Sequence, residues 1–198
     1  SELSSLGINT NLAPVVDVNN NPSNPVIGLR SYGDDAEMVG KMASAEIEGL
    51  AEYNVIGCAK HFPGHGDVAT DSHYGLPIVN KSKEELLNNE LKPYQVAINQ
   101  GIEMIMSAHI LYPQLDNTTV YSEKTKQQEK LPSTLSHKII TDLLKNELGF
   151  NGVVVTDAMN MAGIAKTYDQ VQATKLAINA GVDLICMPCD LKSKDDLA

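Results

Sequence analysis

Three cysteines in 198 residues are too few, and oddly numbered, for a disulfide framework. Cys186 and Cys189 have Cys-x-x-Cys spacing, but Cys186 lies in an apolar, strand-like run and Pro188 stands inside the pair. Buried thiols are therefore expected, not a redox or metal pair. Basic residues are also scarce, 15 Lys and Arg against 25 Asp and Glu, for a net charge of −10. That excludes a phosphate-binding basic face and with it nucleic acid as a partner. No apolar run approaches the ~18 residues that announce a membrane-crossing helix. A basic start followed by an apolar stretch, the mark of a secretory signal, is not visible either. A mature secreted chain would have the same composition, so no compartment follows. What is present is enough chain for one domain with a sizeable core.

Strand-like and helix-like segments alternate along the whole length. Asn11–Val18 is a β-branched run that closes on Asp17 and an Asn-rich loop. Residues 34–53 read as a helix, with Met38, Met42, Ala45, Ile47 and Leu50 at helical spacing. Val55–Phe62 reads as a buried strand. Ser82 followed by Glu85 forms a capping box, and Pro93 predicts a kink or a fresh start in the helix beyond it. Met104–Ile110 and Val153–Thr156 read as further strands. Between them, Ser136 opens a helix with Ile139, Ile140, Leu143 and Leu144 on one face, ended by Gly149. A last helix runs from about Asp169 to Gly181, and Asp183–Met187 reads as the fifth strand.

One internal echo supports this division. Ala97-Ile98-Asn99-Gln100-Gly101-Ile102 matches Ala177-Ile178-Asn179-Ala180-Gly181-Val182, each a helix end, a glycine suited to a left-handed cap and the start of a strand. Apolar strands separated by helices predict a parallel sheet, either doubly wound or a (β/α)8 barrel. Polar residues close nearly every strand (Asp17, Lys60-His61, His109, Asp157), whereas a doubly wound sheet gathers its site at one switch point. The barrel fits better, but with only about five βα units.

The densest chemistry follows the second strand. Lys60-His61-Phe62-Pro63-Gly64-His65-Gly66 is succeeded by Asp71-Ser72-His73. A strand that delivers polar groups into a glycine-containing loop at its C-terminal end is how an α/β barrel builds an active site. This stretch resembles the signature of glycoside hydrolase family 3, in its β-N-acetylglucosaminidase branch. Asn11–Asp17 is similar to that family's fourth strand, Arg30-Ser31-Tyr32-Gly33 to its arginine-bearing loop, Ser107-Ala108-His109 to its sixth strand and Val155–Met161 to its nucleophile strand.

The resemblance implies that residues 1–198 are the C-terminal portion of a TIM-like catalytic barrel, from its fourth strand to just past its eighth. Three N-terminal units, including an acidic residue that grips the sugar's distal hydroxyls, would lie outside it. Open sheet edges at Asn11–Val18 and Asp183–Met187 would then invite homo-oligomers or low stability. The implied activity is retaining hydrolysis of terminal β-linked N-acetylglucosamine in peptidoglycan-derived or chitin-like saccharides, with no metal or organic cofactor. Asp157 would be the nucleophile, and Asp71 with His73 the acid/base pair. An imidazole titrating near ~6.5 can both give and take a proton near neutrality. Arg30, Lys60, His61, Asp17 and His109 would bind substrate.

Plainer readings stand beside each role. Asp157 could cap the next helix, His65 could only hold its loop, Asp17 and His109 could be structural, and His137 reads as a surface residue. Two alternatives compete with the enzyme as a whole. One is a metal-dependent barrel hydrolase that uses His61, His65, Asp71, His73, His109 and Asp157, although no pair has the usual ligand spacing. The other is an inactive sugar-binding fragment.

Overall fold

The computed structural model describes residues 1–68 and 76–189. Asp71 and His73 therefore lie outside the described residues. After a short N-terminal helix α1 (Glu2–Ser5), a parallel sheet is built from β1 (Thr10–Asn11), β2 (Ile56–Phe62), β3 (Met104–Ser107) and β6 (Val153–Thr156). The strands lie side by side in the order in which they occur in the chain, with no reversal. A doubly wound sheet would reverse at a switch point; sequential order is what a barrel requires. The architecture is thus a partial (β/α)8-type barrel.

Helices α2 (Ala36–Ala51), α3 (Lys83–Asn88), α4 (Lys92–Asn99), α5 (Ala162–Ala165) and α6 (Gln170–Ala180) join the strands, together with a π-helix over Lys138–Glu147. Successive strand residues face opposite ways. Ala59, Ile105 and Val154 enter the main core beneath the helices, while Cys58, Met104, Met106 and Val155 form a small separate cluster on the inner face.

The helix signals operate as local chemistry predicts. Ser82 accepts from the Glu85 backbone N–H while Glu85 reaches back to the Ser82 N–H, and α4 restarts with Pro93 in its first turn. Gly101 (φ +85°) and Gly181 (φ +103°) occupy equivalent left-handed caps. The next residues, Ile102 and Val182, donate back to the carbonyls of Ala97 and Ala177.

Four expectations need correction. The face of α2 that is buried is Ala36, Val39, Gly40, Ala43 and Ile47, while Met38 and Met42 are about half exposed. Small residues win because α2 lies close against α4, where a Cβ on Gly40 would come 3.2 Å from Val96. The strand expected over Asn11–Val18 is regular only at its start. Pro14 has no N–H to give, and the ladder continues as separate bonds from Cys58 to Ala13, Lys60 to Pro14 and Val16 to Lys60. The third strand stops at Ser107, because Ser133 takes over the pairing, bonding through its backbone N–H to Ile110 and through Oγ to the Ala108 carbonyl. Asp183–Met187 is no regular strand; it meets β6 through a bridge between Leu184 and Val155.

An antiparallel hairpin, β4 (Thr119–Tyr121) and β5 (Gln128–Lys130), was not expected at all. Its turn is organised by buried Ser122, whose Oγ accepts from Lys124 and Thr125. The cysteines are free, with Cys58 buried and Cys186 and Cys189 only partly so.

Candidate active site

At the C-terminal end of β2 the ladder slips. Lys60 pairs with Met106 and Phe62 with Ser107, so His61 is an extra residue against β3. Such a bulge re-aims side chains, and here Lys60 and His61 both line one cavity although they are adjacent in a strand. The Lys60–His61 peptide is cis, as are those before Pro14 and Pro63. Phe62 points the other way and is fully buried edge-on against Tyr94.

Asp17 is the hub of the loop beyond β2. It is fully buried, and Oδ1 accepts from the backbone N–H of His61 (3.1 Å) and of His65 (2.6 Å), while Oδ2 meets His61 Nδ1 at 2.7 Å. Burial alone would push its carboxyl up, but the two histidines and their N–H groups outweigh it and hold the pKa below the ordinary value. With Nδ1 engaged, Nε2 is the ring atom His61 has left for the cavity.

Removing this hub should be costly. Asp17→Ala would strand one ring and two backbone donors in the interior, at roughly 3 kcal/mol or more given ~1–3 kcal/mol for each unsatisfied group. Thermal melts across pH check it. A carboxylate with a depressed folded pKa stabilises fully above its unfolded value and loses that contribution as pH falls through the folded one. The gap between wild type and variant should therefore persist to about pH 4 and close only below it. Both proteins should already be losing stability below about pH 6.5. Burial lowers the pKa of His65 and of His109, so the unfolded chain takes up protons that the folded one refuses.

The loop after β2 is threaded tightly. A Cβ on Gly66 would stand 1.7 Å from the Val18 carbonyl oxygen, which no side chain tolerates. Gly66→Ala should therefore displace the loop and lower Tm by several degrees, a loss readable by differential scanning calorimetry. The arginine loop is tied to the same place by a residue with no signal in the sequence. Asn24 is buried, donates to the His65 carbonyl (2.7 Å), and accepts from the N–H groups of Val26 and Ile27. Ser31 adds a bond to the Asp17 carbonyl at 2.6 Å. Arg30, between them, is exposed at the cavity rim.

Asp157 ends β6 and forms the opposite wall, half-buried. Its Oδ1 accepts from the N–H of the next residue, Ala158 (2.7 Å). The following helix, α5, has Met161 at its N-cap, so Asp157 does not cap it.

The cavity holds about 200 Å3. Arg30, Lys60, His61, His65 and Asp157 give it polar walls, and Leu12, Val26 and Met106 give it apolar ones. That is below the ~300–1,000 Å3 of sites for drug-sized ligands and suits one small polar molecule. Burial, then the neighbouring Arg30, lowers the Lys60 pKa, while Asp157 and Asp17 pull it back. Cys186 is part of the wall, its thiol pushed up by burial and by Asp157. Cys58 behind it is pushed up to about 12, again by burial.

Arg30, Lys60, His61 and Asp157 are thus brought together, but Asp17 and His109 stand behind the wall. His109 is buried between Thr134 Oγ1 (2.9 Å) and the Ala158 carbonyl (3.0 Å). The Ala158 carbonyl can only accept, so Nε2–H donates to it, and His109 braces the residue after Asp157. His137 is on the surface, as expected. Among the described residues no three His, Cys, Asp or Glu side chains are grouped to hold a metal ion. A larger cavity, about 580 Å3, opens between the hairpin and α5–α6, but none of the predicted site residues lines it.

Comparison with known proteins gives matches over nearly the whole chain. The family model described as the glycosyl hydrolase family 3 N-terminal domain matches residues 1–196. A β-hexosaminidase A of Pseudoalteromonas piscicida is 44% identical over 197 residues, 99% of this chain and 33% of the relative. The structure of a glycoside hydrolase family 3 β-N-acetylglucosaminidase from Paenibacillus sp. str. FPU-7 superposes with a TM-score of 0.86 at 45% identity, covering 93% of this chain and 33% of that one. NagZ from Neisseria gonorrhoeae, solved in complex with N-trifluoroacetyl-D-glucosamine, superposes with a TM-score of 0.77 at 33% identity, over 93% of this chain and 49% of that one. The chain spans about a third to a half of the length of the curated relatives it matches.

Proposed function

The chain belongs to glycoside hydrolase family 3, and on that premise we propose that it carries the catalytic residues of a retaining β-N-acetylglucosaminidase. The observation that carries this reading is the meeting of Asp157, Lys60, His61 and Arg30, from three separate chain segments, on one small cavity at the strand ends. The N-acetylglucosamine analogue held by the neisserial relative supports the substrate class.

In the first step a carboxylate oxygen of Asp157 bonds to the anomeric carbon as the bond to the leaving oxygen breaks. His73, with Asp71 as its partner in the acid/base role, gives that oxygen its proton. In the second step water bonds to the anomeric carbon, His73 takes a proton from it, and Asp157 departs as carboxylate with net retention. Lys60, His61 Nε2 and Arg30 hold the sugar hydroxyls. The apolar wall of Leu12, Val26 and Met106 suits the apolar edges of the ring. Asp17 acts by positioning His61 and the loop, and His109 by bracing the segment after Asp157.

Turnover of a chromogenic β-N-acetylglucosaminide by the full-length protein tests the proposal, with the product anomer read by NMR. Release of the β-anomer first is expected; release of the α-anomer first would contradict the covalent scheme.

A further inference from the structure

Glu90 is a buried carboxylate with no part in the two catalytic steps. It sits at the corner between α3 and α4 and is 1% exposed. Its Oε1 accepts from Lys81 Nζ at 2.5 Å and from Asn20 Nδ2 at 2.8 Å, and its Oε2 has no hydrogen-bond partner among the described residues. Lys81 Nζ also pairs with Asp67 Oδ2 at 2.9 Å. The Glu90 stem packs under the loop after β2, where a Cβ on Gly64 would come 3.0 Å from Glu90 Cβ.

Three segments are therefore linked through the Glu90–Lys81 pair, Asn20 bonding to Glu90 and Asp67 to Lys81. Asn20 follows Asp17 at the head of the arginine loop, Asp67 lies near the end of the described part of the loop after β2, and Lys81 stands where the chain returns towards α3. Asp67 and Lys81 flank Asp71 and His73 in sequence, and their ion pair brings the flanks together. The returning stretch is held separately, by Val79 N–H to the Leu111 carbonyl and Leu111 N–H to the Pro77 carbonyl, both 2.9 Å. Surface ion pairs contribute little. This one is different in kind, since Glu90 is out of water and Lys81 is its charge partner. The two carboxylates in turn outweigh burial and raise the Lys81 pKa.

We propose that Glu90, Lys81 and Asp67 form an ionic clasp of positioning residues on which proton delivery to the leaving group, the role proposed for Asp71 and His73, depends. The clasp rests on the proposed acid/base roles of those two residues. It makes Lys81 and Glu90 necessary for proton delivery without either touching substrate. A small displacement far from the reacting atoms can cost on the order of 10²-fold in rate.

The test uses Lys81→Met, Glu90→Gln and Lys81→Arg in the full-length protein, each assayed with an N-acetylglucosaminide of very acidic leaving group and one of basic leaving group. Lys81→Met and Glu90→Gln should lose roughly 10- to 100-fold on the basic leaving group and less than about 3-fold on the acidic one. Lys81→Arg, which keeps the charge, should recover most of the loss. Combined with His73→Ala, Lys81→Met should add no further loss on the basic leaving group, because the proton it positions is already gone. Equal losses on both substrates, or additive losses in the double variant, would mean general destabilisation and overturn the clasp. Unchanged rates would overturn it too. His73→Ala alone reports on the underlying acid/base assignment. If that variant shows no leaving-group dependence, the assignment falls and the clasp's role falls with it. If His73→Ala shows it and Lys81→Met does not, only the clasp is wrong.

Discussion

Asp157→Ala should abolish turnover, with a loss on the order of 10⁴-fold or more in kcat/KM, about 5 kcal/mol of transition-state stabilisation. No other described carboxylate at the cavity can replace it. The other lining charges are the cations Arg30 and Lys60, and Asp17 is fully buried and engaged with His61 and His65. Stability should barely move. Asp157 is only half-buried, and its hydrogen bond is to the adjacent Ala158 N–H, a contribution of about 1 kcal/mol. An activated fluorosugar should label wild type at Asp157 and leave the variant unlabelled, as mass spectrometry of the digest would read. Label on a different carboxylate would reassign the nucleophile. A variant that melts far below wild type would show that the carboxylate serves the fold.

How much of this was legible in the sequence divides along sequence distance. The capping box at Ser82–Glu85, the restart at Pro93 and the paired glycine caps at 101 and 181 are settled within a single turn, so local chemistry determined them. The strand leading to Lys60 and His61 was equally clear, because an apolar run ending in charge has few other readings. The hairpin was invisible because its strands are polar and half-exposed and its turn is held by one serine rather than by glycine. The buried face of α2 was misjudged because Met38 and Met42 have longer apolar side chains than Val39, Gly40 and Ala43, yet the close approach to α4 at Gly40 favours compact residues. Asn24, Thr134 and Glu90 were missed for a further reason. Their bonds reach 41 residues to His65, 25 to His109 and 70 to Asn20, and no spacing rule links such partners. What the sequence displays is the group that meets substrate; what it conceals is the group that holds it there.

His73→Ala should then separate proton delivery from everything else at the site. A general acid contributes ~10²–10⁴-fold where the departing oxygen is basic, and little where the leaving group departs as a stable anion. The variant should therefore lose about that much on natural-type saccharides while keeping most activity on a strongly activated aryl glycoside. Labelling of Asp157 by the activated fluorosugar should persist, because that step needs the nucleophile and not the proton. The second step needs a base to take a proton from water, so the glycosyl-enzyme should accumulate. Azide, an anion that needs no deprotonation, should relieve the block and yield the β-glycosyl azide. The neighbours bear on the outcome as well. Burial disfavours the protonated form of His65, which makes it a poor proton donor for the first step, and His109 is locked between Thr134 and the Ala158 carbonyl. Equal losses across leaving groups, with no response to azide, would mean that His73 binds sugar and that the proton comes from another residue.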